Sequence, residues 1–173
     1  MLRSIRARAK RENVPRILIL GLDNAGKTTI LKKLSDEDPQ QNEGPTQGFN
    51  LKSLNLSGRN ANLCDLGGQR SYREFWSNYY ESSDCLIFVV DSTDSRRMEE
   101  TLNTFNEVLE NLPKVPVLVF ANKQDLQTAK SPATIAEVLE LVEHRERKWH
   151  IQGCSAKTGD GIEDGIAWLM TAC

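Results

Sequence analysis

The residues Gly21-Leu22-Asp23-Asn24-Ala25-Gly26-Lys27-Thr28 carry the plainest chemistry in this chain. Two glycines separated by four residues, followed at once by Lys and Thr, fit G-x-x-x-x-G-K-[ST], a loop that wraps the phosphates of a nucleotide. Gly21 and Gly26 let the backbone turn tightly and bring its N–H groups against phosphate oxygens. Lys27 is placed to reach the β- and γ-phosphates, and the Thr28 hydroxyl to join the coordination shell of Mg²⁺.

A second cluster, Asn122-Lys123-Gln124-Asp125, suits a guanine base. A carboxylate at Asp125 accepts from both the N1–H and the 2-amino group of guanine. Adenine offers neither donor there and would leave a buried charge unmatched, which is strong discrimination. Asn122 is expected to brace the surrounding loops and the Lys123 stem to cover one face of the base. Downstream, Cys154-Ser155-Ala156-Lys157 offers the Ala156 N–H to the guanine O6.

The third cluster is Asp65-Leu66-Gly67-Gly68-Gln69. Asp65 is expected to hold Mg²⁺ directly or through water, the Gly68 N–H to touch a γ-phosphate, and Gln69 to orient the attacking water. Thr46, in a polar loop, would add a Mg²⁺ contact when the γ-phosphate is present; by itself it also reads as a plain turn residue.

Positioning these clusters requires strands that end where they begin. Residues 16–20, 85–91 and 115–121 are apolar runs that read as buried strands, and residues 149–154 as a shorter one. Residues 48–56 and 61–65, joined by the turn 57–60, read as a hairpin. Helices are expected over 28–34, 72–80, 98–112 (closed by Pro113), from Ser131-Pro132 to 142, and over 161–170. Alternating strands and helices imply an α/β fold: a mostly parallel six-stranded sheet, one antiparallel edge strand, and helices on both faces. Ligands in such sheets bind beyond the carboxyl ends of the strands, where every polar cluster falls. Along 48–56 the apolar residues change parity, Phe49 and Leu51 being odd, Leu54 and Leu56 even. That implies a weakly enforced register or a bulge.

A length of 173 residues fits one domain with a core of its own. A net charge of −2 argues against nucleic acid as a partner. The four cysteines show no metal-ligand spacing, and three fall in or beside apolar runs, so reduced thiols in a cytosolic protein are expected. No run is long enough to span a bilayer, and none resembles a secretory signal. Residues 1–11 carry Arg3, Arg6, Arg8, Lys10 and Arg11 among Leu2, Ile5, Ala7 and Ala9. As a basic, weakly amphipathic helix the segment would meet an anionic membrane; as a solvated terminus it would meet nothing. Position 2 is Leu2, where N-myristoylation needs glycine.

From about residue 14 onward the chain resembles small GTPases of the Arf-like family, with the motifs G-L-D-N-A-G-K-T-T (21–29), P-T-x-G-F-N (45–50), D-x-G-G-Q-R (65–70) and A-N-K-Q-D-L (121–126). Gly-Gly-Gln rather than Ala-Gly-Gln sets this family apart from the Ras branch. Gln47 and Trp149-His150-Ile151-Gln152 are most similar to the third Arf-like subgroup. The resemblance implies a Ras-like P-loop GTPase fold, with a basic segment at 1–13 and the GTPase domain over 14–173. It implies GTP binding by Asp23, Asn24, Ala25, Gly26, Lys27, Thr28, Thr29, Thr46, Gly68, Asn122, Lys123, Asp125, Ser155, Ala156 and Lys157. Mg²⁺ would lie at Thr28, Thr46 and Asp65, with Gln69 as the catalytic residue. Asp23 is expected to add negative charge near the γ-phosphate. No arginine lies in the loop 36–45, so an activating protein is expected to supply one. Implied partners are that protein, an exchange factor, and carriers of lipid-modified cargo whose load the GTP state releases, often at cilia or flagella. A family effector patch of Phe, Trp and Tyr corresponds here to Phe49, Cys64 and Tyr79, with Cys64 standing where the pattern has Trp. In the family, a slide of the hairpin strands by two residues expels the N-terminal segment in the GTP state. Two other readings stand beside this one: an Arf-type switch recruiting proteins to membranes in vesicle traffic, and a nucleotide kinase sharing the phosphate loop.

Overall fold

The computed structural model describes residues 14–36, 48–112 and 114–173; Thr46, Pro113 and the basic segment 1–13 lie outside them. Six strands form one sheet in the order β2-β3-β1-β4-β5-β6. They are β1 (Arg16–Leu20), β2 (Phe49–Leu56), β3 (Arg59–Leu66), β4 (Cys85–Asp91), β5 (Val117–Asn122) and β6 (Trp149–Gly153). All neighbours run parallel except the β2–β3 hairpin. The expected fold class is the observed one.

The core is split by the period of two along each strand. Ile17 and Ile19 of β1 face one layer with Leu63, Ile87 and Phe120, under α1 (Lys27–Leu34) and α6 (Ile162–Ala172). Leu18 and Leu20 face the other with Phe88, Val119, Phe105 and Leu109, under α4 (Met98–Asn111) and α5 (Pro132–Val138). The central strands β4 and β5 are buried on both faces, which is why they read as unbroken apolar runs. Each ends on a polar residue, Asp91 and Asn122, at the shared carboxyl edge of the sheet.

Three details differ from the sequence reading. The helix expected from 131 to 142 stops early: α5 ends at Val138, and a 3-10 turn at Leu141–Glu143 follows Glu140, whose φ is +53°. Leu139 and Leu141 are both fully buried, and residues two apart on one helix cannot face the same layer. A left-handed residue between them lets both turn inward. Its start is as expected, with Ser131 Oγ accepting the Thr134 N–H and Pro132 at the first turn. The helix expected over 72–80 is instead two single turns, α2 (Arg70–Arg73) and α3 (Ser77–Tyr80), separated where buried Trp76 turns in to donate from Nε1 to the Gly67 carbonyl (3.0 Å).

The parity change in β2 needs no bulge. β2 pairs with β3 without a break from Phe49↔Leu66 to Leu56↔Arg59. Phe49 and Leu51 lie on one face and are exposed, whereas Leu54 and Leu56 pack on the other face against the end of α6. Because the apolar residues at its start are exposed on one face and those at its end are packed on the other, β2 changes parity without a bulge.

The third difference is covalent. Cys85, at the start of β4, and Cys173, after α6, form a disulfide across a Cα–Cα distance of 6.1 Å, while Cys64 and Cys154 are free thiols. Only the return of α6 along the sheet brings the chain's last residue to β4, so spacing in the sequence could not show the pair. A bridge closing a loop of 88 residues constrains the unfolded chain by roughly 2–5 kcal/mol. Adding a dithiol reductant should therefore lower the Tm by on the order of 10 °C, and Cys85→Ser should abolish that sensitivity. A melting curve unchanged by reductant would show that the bridge does not form in solution.

Candidate nucleotide site

The phosphate loop is held between β1 and α1. Gly26 caps α1 with φ +101°, and a Cβ on it would fall on the Asn122 amide. Lys27 is buried, and its Nζ donates back to the Gly21 (3.1 Å) and Leu22 (2.9 Å) carbonyls. Burial pulls its pKa down to about 8, against the opposing influence of Asp65 and Asp23. Phosphate oxygens are the partners that would restore its full charge.

The base side of the site is locked to the phosphate side by two residues at the end of β5. Asn122 donates from Nδ2 to the Ala25 carbonyl (2.9 Å), and its Oδ1 accepts the Ala156 N–H (3.0 Å). The expected bracing is thus in place, but the Ala156 amide already has an acceptor. A guanine O6 would have to share that N–H. Lys123 takes φ +67° and donates from Nζ to the Asn24 carbonyl (2.8 Å) and to Asp91 Oδ2 (2.7 Å). Its stem thereby spans from β5 to the phosphate loop. Asp125 is exposed, and Ser155 Oγ donates to its Oδ1 (2.8 Å). Ser155 therefore orients the carboxylate, while Lys157 is exposed.

Asp65 is fully buried at the end of β3, and Thr28 Oγ1 donates to its Oδ2 (2.6 Å). Asn50 Nδ2 approaches the same oxygen at 3.4 Å. Gly68 lies directly on the phosphate loop: a Cβ there would come within 2.5 Å of Lys27 Nζ and of the Leu22–Asp23 backbone. Only glycine fits so close an approach. Gln69 is half-buried and stands at the N-terminal end of α2.

Three charged residues of this site had no signal in the sequence. Asp91 closes β4 and takes the Lys123 ammonium; burial alone would raise its pKa, but the bonds from Lys123 and Thr93 hold it below the usual carboxylate range. Arg97 donates from Nη1 to Asp23 Oδ1 and from Nη2 to the Asp23 carbonyl, both at 2.7 Å. Arg73 Nη2 stands 3.8 Å from the same Asp23 oxygen. Asp23 was expected to add negative charge near a γ-phosphate; two guanidinium groups offset that charge. The loop 36–45 carries no arginine, yet Arg73 and Arg97 reach the phosphate loop from the far side of the chain. An ion pair across 74 residues leaves no local pattern to read.

On the neighbouring surface the Phe49 and Tyr79 rings have centroids 6.3 Å apart. Cys64 pairs across the hairpin with exposed Leu51 and packs on the same layer as Tyr79. The three patch residues are therefore together, and Leu51 extends them. Burial and the neighbouring Asp65 push the Cys64 thiol up to about 12, which disfavours its thiolate.

The family model described as the ADP-ribosylation factor family matches residues 1–173. The chain belongs to that family. It is 51% identical over 172 residues to ADP-ribosylation factor-like protein 3 of Chlamydomonas reinhardtii, covering 98% of this chain and 97% of that protein. The protein of the same name in Caenorhabditis elegans is 56% identical over 159 residues, covering 90% and 86%. Among solved structures, the Arl6 BBS3 small GTPase of Trypanosoma brucei with bound nucleotide analogue GppNp aligns with a TM-score of 0.81 at 32% identity, covering 91% of this chain and 95% of that one. This Arf-like chain is a GTP-binding switch protein, and the nucleotide-kinase reading has no support left.

Family membership implies guanine nucleotide with Mg²⁺, and the donor set fits a hard cation. Thr28 and Asp65 supply a hydroxyl and a carboxylate oxygen within hydrogen-bond distance of each other. No group of three or more His, Cys, Asp or Glu occurs among the described residues. Mg²⁺ takes one or two protein oxygens and completes its shell with phosphates and water. Among the described residues no helix is long and apolar enough to cross a membrane.

Proposed function

We propose that this protein cycles between GDP and GTP, hydrolyses GTP slowly by itself, and in its GTP state releases lipid-modified cargo from soluble carriers, in the cytoplasm and at the cilium or flagellum. The observation that carries the switch reading is the lock between the two halves of the site. Asn122 and Lys123 tie the base loop to the phosphate loop at Ala25 and Asn24, so base recognition at Asp125 and phosphate binding at Lys27 act as one unit. The proposed nucleotide contacts are residues 23–29, Thr46, Gly68, Asn122, Lys123, Asp125 and 155–157, with residues 14–173 as the GTPase domain.

The proposed chemistry needs little covalent work from the protein. Gln69 would orient the attacking water, the Gly68 N–H and Lys27 would hold γ-phosphate oxygens, and Thr28, Thr46 and Asp65 would hold Mg²⁺, which when bound would neutralise phosphate charge. Asp23, paired with Arg97, does not oppose the developing charge. An arginine from an activating protein supplies the remaining stabilisation.

Support for the cargo role comes from the likeness to ADP-ribosylation factor-like protein 3 across nearly the whole chain and from the apolar patch at Phe49, Cys64 and Tyr79, which suits a protein effector. The test is a carrier loaded with a fluorescent lipidated peptide. Release is expected with the protein bound to a GTP analogue and not with GDP. GTP-dependent binding to anionic liposomes through residues 1–11, without release from the carrier, would favour membrane recruitment.

A further inference from the structure

Arg73 stands outside every motif, yet it touches three parts of the site. From the end of α2 its Nε donates to the Gly68 carbonyl (2.8 Å) and its Nη1 to Glu100 Oε1 on α4 (2.9 Å). Its Nη2 faces Asp23 of the phosphate loop at 3.8 Å and has no hydrogen-bond partner. The guanidinium is mostly buried, with the side chain 16% exposed. Arg97 already holds Asp23 at 2.7 Å, and Glu100 also accepts from Arg70 at 3.1 Å.

These contacts fix direction as well as position. In a planar trans peptide the C=O and the N–H point opposite ways. Trp76 holds the Gly67 carbonyl and so sets where the Gly68 N–H points. Arg73 holds the Gly68 carbonyl and so sets the next peptide plane, the one that begins Gln69. Both planes around Gly68 are thus anchored by side chains that lie after them in the chain. Of these two anchors, Arg73 is the one that reaches Glu100 of α4 and approaches Asp23 of the phosphate loop.

We propose that Arg73 is a positioning residue for GTP recognition and hydrolysis, orienting the Gly68–Gln69 peptide and coupling it through Glu100 to α4. The inference rests on the proposed roles of Gly68 and Gln69. A planar fork is required for this work, because Nε and Nη1 must serve two acceptors on different elements at once. A lysine would offer a single ammonium at one point.

The test uses the full chain with Arg73→Gln, Arg73→Lys and Gln69→Leu, measuring affinity for a non-hydrolysable GTP analogue, affinity for GDP, and single-turnover hydrolysis. For Arg73→Gln we expect about a tenfold loss of GTP-analogue affinity relative to GDP and about a tenfold slower hydrolysis. GDP affinity should stay within about twofold. Arg73→Lys, which keeps charge and stem, should keep the fold and recover only part of both losses. A merely structural role would lower affinity for both nucleotides together and leave their ratio unchanged, which overturns the proposal. It is also overturned if both Arg73 variants hydrolyse like the parent while Gln69→Leu is impaired. If Gln69→Leu hydrolyses normally, the assignment of Gln69 falls and this inference falls with it.

Discussion

Asp125→Asn should weaken GDP binding by on the order of 10³-fold or more and turn the site toward xanthine nucleotides. A carboxylate accepts from two guanine donors, whereas the new amide presents one N–H₂ that clashes with the 2-amino group and instead suits the O2 of xanthine. Losses of this size are usual where a site built for a specific hydrogen-bond pattern meets the wrong one. The surrounding geometry makes the change local. Ser155 Oγ holds Asp125 Oδ1 at 2.8 Å and is itself fixed by the Thr158 N–H at 3.2 Å, so an amide takes the same place without moving the loop. Titration with GDP, ADP and XDP checks this. Tight ADP binding by the unaltered protein would remove the guanine assignment.

Gln69→Leu should leave nucleotide binding nearly intact while lowering activator-stimulated turnover by at least about 10³-fold. The residue is half-buried at the start of α2, and Gly68 before it lies against Lys27, which supports the proposed role of Gln69 beside a γ-phosphate. Leucine keeps the volume but cannot orient water. Unassisted hydrolysis should run on the order of 10⁻⁴ to 10⁻³ s⁻¹, as in related sites that await an arginine in trans. Single-turnover rates on the order of 1 s⁻¹ in the isolated protein would mean that Arg73 or Arg97 already supplies that arginine.

The parts of this molecule that could be read from its sequence are those in which one local rule decides the outcome. Phosphate-loop spacing named Gly26, Lys27 and Thr28 because backbone geometry and phosphate chemistry leave few alternatives. The doubly buried strands β4 and β5 showed as unbroken apolar runs, and the polar residues at their ends marked the site. What stayed hidden depends on distant parts of the chain meeting. Arg97 finds Asp23, Arg73 finds Glu100, and Cys173 finds Cys85 only once α4 and α6 pack on the sheet. The break at Glu140 was hidden for a related reason, since two leucines two apart can both be buried only when the layer above them is known. Even within a recognised motif, the partner of the Ala156 N–H was an internal one, Asn122.

We propose that nucleotide state moves this structure. β2 is an edge strand hydrogen-bonded to β3, with Leu54 and Leu56 packed toward α6, and Asn50 reaches from it to Asp65 beside Thr28. A shift by two residues keeps every side chain on its own face, so γ-phosphate contacts at Gly68 and Thr46 are proposed to choose between registers. Hydrogen exchange across residues 48–65 and 1–11, compared between protein loaded with GDP and with a GTP analogue, is the most direct measurement. The account predicts that protection in the hairpin and in the N-terminal segment differs between the two states, with the N-terminal segment less protected in the GTP form. Identical exchange in both states would contradict it.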